Sequence, residues 1–342
     1  IDTAGKKMTV CELYAMQIRH NGNVKPNTVT GRNCLMKIIS EDKIGSAAIE
    51  NVKMADAKEW VLRMKENGYA FQTIKNYKRS LSASFYTAIQ NDFIRKNPFE
   101  FDITEVIEDD TVHKEALTPE QEKAFLNFIQ SSETYNKHYE FILILLGTGL
   151  RVSELCGLTL SDVDMKSRTI NVNHQVLYDG DIGYYISEPK TKNGIRQIPM
   201  SETVYAAFSK ALADMPVSNY EILNDNKVYT NFIFSKSAGK PYSCYDFTAV
   251  FTRARKQVKR FYDIELPKTL SPHTMRHTFC TKMANAGMNP KSLQYLMGHA
   301  NITMTLNYYT HATYESARDE FDRIMGTAQI TDLPKQEERI SA

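Results

Sequence analysis

Four short segments hold the side chains best suited to chemistry: Gly147-Thr148-Gly149-Leu150-Arg151-Val152-Ser153-Glu154-Leu155, His273-Thr274-Met275-Arg276, Leu296-Met297-Gly298-His299 and Tyr308-Tyr309-Thr310-His311. Two arginines, Arg151 and Arg276, can clamp the non-bridging oxygens of a phosphoryl group bidentately, where negative charge grows in the transition state. A tyrosine hydroxyl can attack phosphorus, and the aryl ester it forms keeps the energy of the broken bond. With a reference pKa of about 10, the phenol leaves again more readily than an alkoxide. A neutral histidine within reach can take the phenolic proton. His273, three residues before Arg276 and on the same helix face, is the expected base. His299 is expected to hydrogen-bond a non-bridging oxygen. Glu154, one helical turn after Arg151, is expected to orient that arginine rather than to carry protons. Each segment alone says little, because a single Arg or His on a helix is more often a surface or satisfied core residue. Their order and spacing carry the argument.

The elements that must position these residues can be read from periodicity and caps. Helices are expected from Thr9 to Asn21, Asn27 to Ile39, Asp56 to Asn67 and Phe71 to Gln90; the last has Ile74, Tyr77, Leu81, Phe85, Ala88 and Ile89 on one stripe. Asn97-Pro98 ends this bundle. Thr118-Pro119-Glu120-Gln121 is a capping box with proline at the first helical position, opening a second module. Helices over 119–131 and 136–147 follow. Arg168–Val172, Gly183–Ser187 and Ile195–Pro199 are expected to form one short antiparallel sheet. Helical patterns then resume over 202–214, 245–262, 273–286, 290–297, 302–309 and 312–325.

With these segments in this order, the chain resembles the tyrosine recombinase, or phage integrase, family, most of all the integrases of conjugative transposons from Gram-positive bacteria. The resemblance implies a mainly α fold with a small antiparallel β-sheet. It places a four-helix core-binding domain over 1–99, an acidic linker over 100–117 and an α+β catalytic domain over 118–313. A C-terminal helix and tail over 314–342 would carry Phe321, Ile324 and Met325 as an inter-subunit contact. The implied function is site-specific recombination, cutting and rejoining DNA through a 3′-phosphotyrosine to integrate and excise a mobile element, with neither metal nor other cofactor. The implied partners are double-stranded DNA at attachment sites, further copies in a synaptic tetramer and an accessory directionality factor. The implied place is the bacterial cytoplasm, at the nucleoid. The family's Tyr followed by Thr-His selects Tyr309 as nucleophile over Tyr308, which points about 100° away on a helix. Lys190, in the turn Pro189-Lys190-Thr191-Lys192-Asn193-Gly194, resembles the hairpin lysine that protonates the departing 5′-oxygen; Lys192 is the rival. The small arm-binding domain that usually comes first is missing, and with no initiator Met the chain is expected to begin inside a longer gene product.

Composition and charge agree. At 42% hydrophobic and 24% charged residues the chain can build real cores, and no apolar run reaches the roughly 18 residues of a membrane span. Five scattered cysteines in no metal-ligand or paired spacing fit a reducing compartment. Residues 1–99 hold 16 Lys and Arg against 9 Asp and Glu, a surplus of +7; residues 100–120 hold 1 against 8, or −7; residues 121–313 hold 21 against 16, or +5. Two basic modules joined by an acidic strap suit a polyanion. Lys75, Lys78 and Arg79, opposite the apolar stripe of the fourth helix, and Arg253, Lys256 and Arg260, on the helix over 245–262, are expected to touch phosphate. A type IB topoisomerase would use the same constellation, and a non-enzymatic DNA-binding regulator would explain the basic modules but not the catalytic set. A metal-dependent nuclease would need clustered carboxylates; Asp162 and Asp164 are expected to form a turn.

Overall fold

The computed structural model describes residues 7–22, 24–112, 115–189, 192–217, 219–224 and 226–309, together with 318, 321, 322 and 325. Its contacts divide into two compact units, Ile1–His113 and Lys114–Ala342.

The first unit carries α1 (Val10–His20), α2 (Pro26–Glu41), α3 (Met54–Glu66) and α4 (Phe71–Gln90). A reciprocal cap starts α1, with Thr9 Oγ1 accepting from Glu12 N and Glu12 Oε2 accepting from Thr9 N. Two helices begin earlier than the sequence reading placed them. Pro26 takes the first helical position of α2, where its missing N–H costs nothing, and Asp56 reaches back to Lys53 N at 2.9 Å to cap α3. From α4, Ile74, Leu81, Phe85 and Ala88 are buried, and Trp60 meets Phe99 edge to face at 5.8 Å.

Much of the stretch expected as a solvated acidic linker lies on this unit instead. Ile103 and Ile107 are buried in its core, while Glu105 and Asp110 pair with Lys58 and Lys65 at 3.2 and 2.5 Å. Phe99, Ile103 and Ile107 recur every fourth residue, and that apolar spacing outweighs the carboxylates between them. Asn97 fastens the turn ahead of them: its Nδ2 donates to Ser82 O and its Oδ1 accepts from Phe99 N, both at 3.0 Å.

The second unit holds α5 (Pro119–Ser131), α6 (Tyr139–Thr148), α7 (Val152–Gly157), α8 (Glu202–Ala213), α9 (Thr248–Tyr262), α10 (Pro272–Asn285), α11 (Pro290–Met297) and α12 (Thr303–Leu306). Nearly continuous apolar sequence lets α6 sit at the centre, packed on α8 and α10, with Phe141, Ile142, Ile144 and Leu145 buried. The strands are β1 (Val163–Asp164), β2 (Thr169–Val172), β3 (Gln175–Asp179), β4 (Gly183–Ser187), β5 (Arg196–Pro199), β6 (Ile222–Asn224) and β7 (Lys227–Tyr229). They form an antiparallel sheet ordered β1-β2-β5 and two hairpins, β3-β4 and β6-β7.

This arrangement corrects the sequence reading, which put 183–187 into one sheet with 168–172 and 195–199. Gln175–Asp179 offers β4 a nearer partner across a tight turn that Gly183 closes at φ +84°. Residues 188–195 therefore join two different sheets. The helix expected over 302–309 shortens to α12, followed by tight turns at Tyr308 and Tyr309 whose N–H groups donate three residues back. Of the helix expected over 312–325, Arg318, Phe321, Asp322 and Met325 are described and helical, with Phe321 and Met325 exposed; Ile324 lies outside the described residues. No described helix is long and apolar enough to cross a membrane.

Candidate active site

Three segments, the first more than a hundred residues ahead of the other two in sequence, converge where α6 ends, α10 begins and α11 ends. Gly149 terminates α6 in the left-handed region at φ +66°, and a Cβ there would come within 2.4 Å of the Phe279 ring. This turn delivers Arg151 to the start of α7 and aims the Gly149 carbonyl at Arg276, whose Nη1 donates to it at 2.6 Å. The other Arg276 nitrogen, Nη2, donates to Met297 O. Gly298 ends α11, again left-handed at φ +61°, and its carbonyl lies 3.5 Å from Arg151 Nη2. The backbone beside each motif therefore seats a side chain from another.

Glu154 is buried beneath this pair and accepts four hydrogen bonds. Oε1 takes Arg151 Nη1 at 2.7 Å and Arg196 Nη1 at 3.1 Å; Oε2 takes Arg196 Nη2 at 2.8 Å and the Arg151 backbone N–H at 2.8 Å. Burial alone would raise its pKa, but the hydrogen bonds and charges of the arginines bring it down to about 2. A carboxylate held this way orients and does not exchange protons near neutral pH. Burial and the neighbouring Arg151 push Arg276 down to about 9, still protonated at pH 7. Three guanidiniums facing one carboxylate leave a positive site that an added anion would stabilise.

His299 is buried, with Nδ1 at 2.9 Å from Thr305 Oγ1, and burial together with the arginines lowers its pKa to about 4. It is neutral at pH 7 and can donate to a phosphate oxygen without adding charge of its own. The tyrosines diverge. Tyr308 Oη meets His277 Nδ1 at 2.5 Å, and Tyr309 Oη donates to Met288 O at 2.5 Å. Burial pushes Tyr308 up to about 12 and raises Tyr309, so neither phenol is ionised near neutral pH. His273, exposed at the first turn of α10, stacks edge-on against His277 with centroids 4.7 Å apart.

Sequence reasoning passed over Arg196 and His277. Arg196 was detectable, since the alternation Arg196-Gln197-Ile198-Pro199-Met200 puts 196, 198 and 200 on the inward face, and a cation there needs a buried partner. His277 was detectable as the second member of an i, i+4 histidine pair with His273.

Lys190 and Thr191 lie outside the described residues, as do Thr310 and His311. Lys192 is exposed at the start of a 3₁₀ turn over Lys192–Gly194. Among the basic residues expected at DNA, Arg79, Arg253, Lys256 and Arg260 are exposed and Lys75 half-buried. Lys78 is spent within its own unit: its Nζ donates to Phe101 O at 2.6 Å and stands over the Phe101 ring. Asp162 and Asp164 act in turns, Asp162 capping Thr159 and Asp164 accepting from Lys166 N and Ser167 N.

The family model described as the phage integrase family matches residues 115–316. Along its whole length the chain is 51% identical to the transposase from transposon Tn916 of Enterococcus faecalis, of which it covers 82%. It is 25% identical over 80% of its length to the tyrosine recombinase XerC of Listeria innocua, covering 82% of that protein. Among solved structures, the Tn1549 transposon integrase in complex with a circular intermediate DNA matches at 56% identity and a TM-score of 0.88, over 93% of this chain and 99% of that one. A lambda integrase tetramer bound to a Holliday junction shares the fold at 16% identity and a TM-score of 0.61, over 90% of this chain and 80% of that one.

Proposed function

The chain belongs to the phage integrase family of tyrosine recombinases, enzymes of site-specific DNA strand exchange, and we propose that it recombines the ends of a conjugative-transposon type of mobile element through a 3′-phosphotyrosine intermediate. The observation that carries this reading is the convergence of Arg151 and Arg276 on the turn that leads into His299, with Arg151 seated on the buried Glu154 and Arg276 on the Gly149 carbonyl. Arg151 and Arg276 clamp the non-bridging oxygens, and His299 donates to one of them. Tyr309 Oη attacks phosphorus, His273 accepts its proton, and the bond from phosphorus to the 5′-oxygen breaks. Lys190, with Lys192 as rival, protonates that oxygen. Rejoining runs the same steps backwards, with the returning 5′-hydroxyl as nucleophile and the phenol as leaving group.

One contact favours a second reading of the nucleophile. Tyr308, not Tyr309, meets His277, and it is the phenol on which the positive charge of Arg276 acts. Tyr309 remains the proposal on the Tyr-Thr-His pattern.

The first unit and the α9 row Arg253, Lys256 and Arg260 grip double-stranded DNA, a reading supported by similarity to the Tn1549 integrase, which was solved in complex with a circular intermediate DNA. Exposed Phe321 and Met325 serve the contact between copies in a synaptic tetramer. The work is done in the bacterial cytoplasm on nucleoid DNA, with an accessory factor setting direction. Incubating the protein with a nicked suicide duplex of the element's end, in EDTA, should give a covalent protein–DNA band on a denaturing gel. Binding without any such band would overturn the proposal.

A further inference from the structure

Arg196 has no part in the chemistry above, yet it is buried within the catalytic unit's arginine cluster as deeply as Arg276. Its place follows from β5, where Arg196 and Ile198 face inward and Gln197 and Pro199 outward. The side chain is 0% exposed. Its donors reach three separate elements: both oxygens of Glu154 on α7, Leu296 O near the end of α11 at 2.7 Å, and Gly194 O in the Lys192–Gly194 turn at 3.1 Å. A Cβ on Gly298 would come within 3.0 Å of Arg196 Nη1, so the glycine before His299 is also fitted around this guanidinium. Asn193 Nδ2, from the same turn, donates to His299 O at 3.3 Å.

We propose that Arg196 is a positioning residue that keeps the turn carrying the general-acid lysine in register with the arginine clamp. The inference rests on the reading that Lys190 or Lys192 supplies the proton to the 5′-oxygen. Through Gly194, Arg196 holds the Lys192–Gly194 turn beside the proposed lysine, and through Leu296 the turn that presents His299; its bonds to Glu154 tie both to the carboxylate that Arg151 grips on its own. A planar fork can bond in these directions at once, whereas a lysine ammonium is a single point with three donors. Both the shape and the charge of the side chain are therefore used.

The test is single-turnover cleavage of two suicide duplexes, one ordinary and one with sulfur replacing the bridging 5′-oxygen. A thiolate departs without a proton, so the sulfur substrate relieves defects in the general acid and leaves defects in the clamp. Arg196→Met should bind DNA like the wild type and cleave ordinary DNA about a hundredfold more slowly. The sulfur substrate should restore at least a tenth of the wild-type rate, well beyond its effect on Arg151→Ala. Arg196→Lys should behave like Arg196→Met. Should Arg196→Met fail to melt cooperatively, Arg196→Gln, which keeps an amide donor toward Glu154 and leaves the Arg151 contact in place, carries the same comparison. If Lys190→Ala or Lys192→Ala is rescued by sulfur and the Arg196 variants are not, the inference falls and the lysine reading stands. Wild-type cleavage by Arg196→Lys would also overturn it, since charge alone would then suffice. If no lysine variant is rescued, the lysine reading falls and takes the inference with it.

Discussion

Tyr308 and Tyr309 are adjacent in sequence but send their hydroxyls to different elements, Tyr308 to His277 on α10 and Tyr309 to the carbonyl of Met288 ahead of α11. Under the proposed chemistry a bond from Tyr309 to phosphorus would occupy that hydroxyl, so cleavage would exchange the Met288 contact for a phosphate contact. The bond from Tyr308 to His277 can persist throughout. Tyr308→Phe should therefore keep covalent attachment to suicide DNA and lose only about 1 kcal/mol of stability, the usual worth of one hydrogen bond. Thermal unfolding and a denaturing gel on the same variant check both statements. Loss of the adduct in Tyr308→Phe would make Tyr308 the nucleophile.

Arg151 engages Glu154 through Nη1 and its backbone N–H, while Nη2 reaches toward Gly298 O at 3.5 Å. An incoming phosphate can claim that second nitrogen. Arg151→Ala should slow cleavage on the order of a hundredfold or more, by analogy with the loss of an oxyanion donor. Arg151→Lys should recover little of this, because the fork is lost. Both rates should be the same with and without EDTA, as should the wild type's; strict dependence on a divalent ion would contradict the proposed charge compensation.

The depressed pKa of His299 has a sign that can be measured. Its value falls from the ordinary 6.5 to about 4 in the folded protein. Below pH 6.5 the unfolded chain takes up a proton that the folded chain refuses until about pH 4, so this stabilisation is complete above pH 6.5 and is lost as pH falls through that window. His138, also lowered to about 4, titrates in the same window. The share of His299 is therefore read from the difference between wild type and His299→Asn, whose melting temperature should fall less steeply between pH 6.5 and 4. Identical slopes would mean that His299 is not held neutral.

The part of the site that the structure clusters, Arg151, Glu154, Arg276 and the turn before His299, was legible because these residues lie in short motifs whose side-chain chemistry is specific: two forks, a carboxylate and an imidazole in a fixed order. What was not legible depends on partners distant in sequence. Alternation with Ile198 and Met200 marks Arg196 as inward-facing, but the partners it meets there, Glu154 and the Leu296 carbonyl, are distant in sequence. The spacing from His273 marks His277 as well, but its contact with Tyr308 joins residues 31 apart in sequence. The acidic strap misled for a related reason, since charge was counted and the spacing of Phe99, Ile103 and Ile107 was not. Lys78 lies on the polar side of α4 as expected, but the strap returns to it through the Phe101 carbonyl. The β3-β4 pairing was hidden because Gln175–Asp179 has only weak alternation to mark it.

These placements separate the basic residues into two groups. Arg253, Lys256 and Arg260 are exposed along α9. Each change to Gln should weaken DNA binding whatever the sequence and reduce the steepness of its salt dependence by about one ion. Lys78→Met should instead lower the stability of the first unit and leave the salt slope near the wild-type value. Titrations at several salt concentrations distinguish the two; a flat salt dependence in the wild type would contradict phosphate contact by these groups.

A tyrosine in the Tyr-Thr-His segment is proposed to carry the DNA during strand exchange. The most direct test is to trap the protein on suicide DNA, digest the covalent complex with nuclease and protease, and sequence the nucleotide-bearing peptide by mass spectrometry. The expected product is a 3′-phosphate esterified to Tyr309. A modification on Tyr308, on a serine, or through a 5′-phosphate would contradict it.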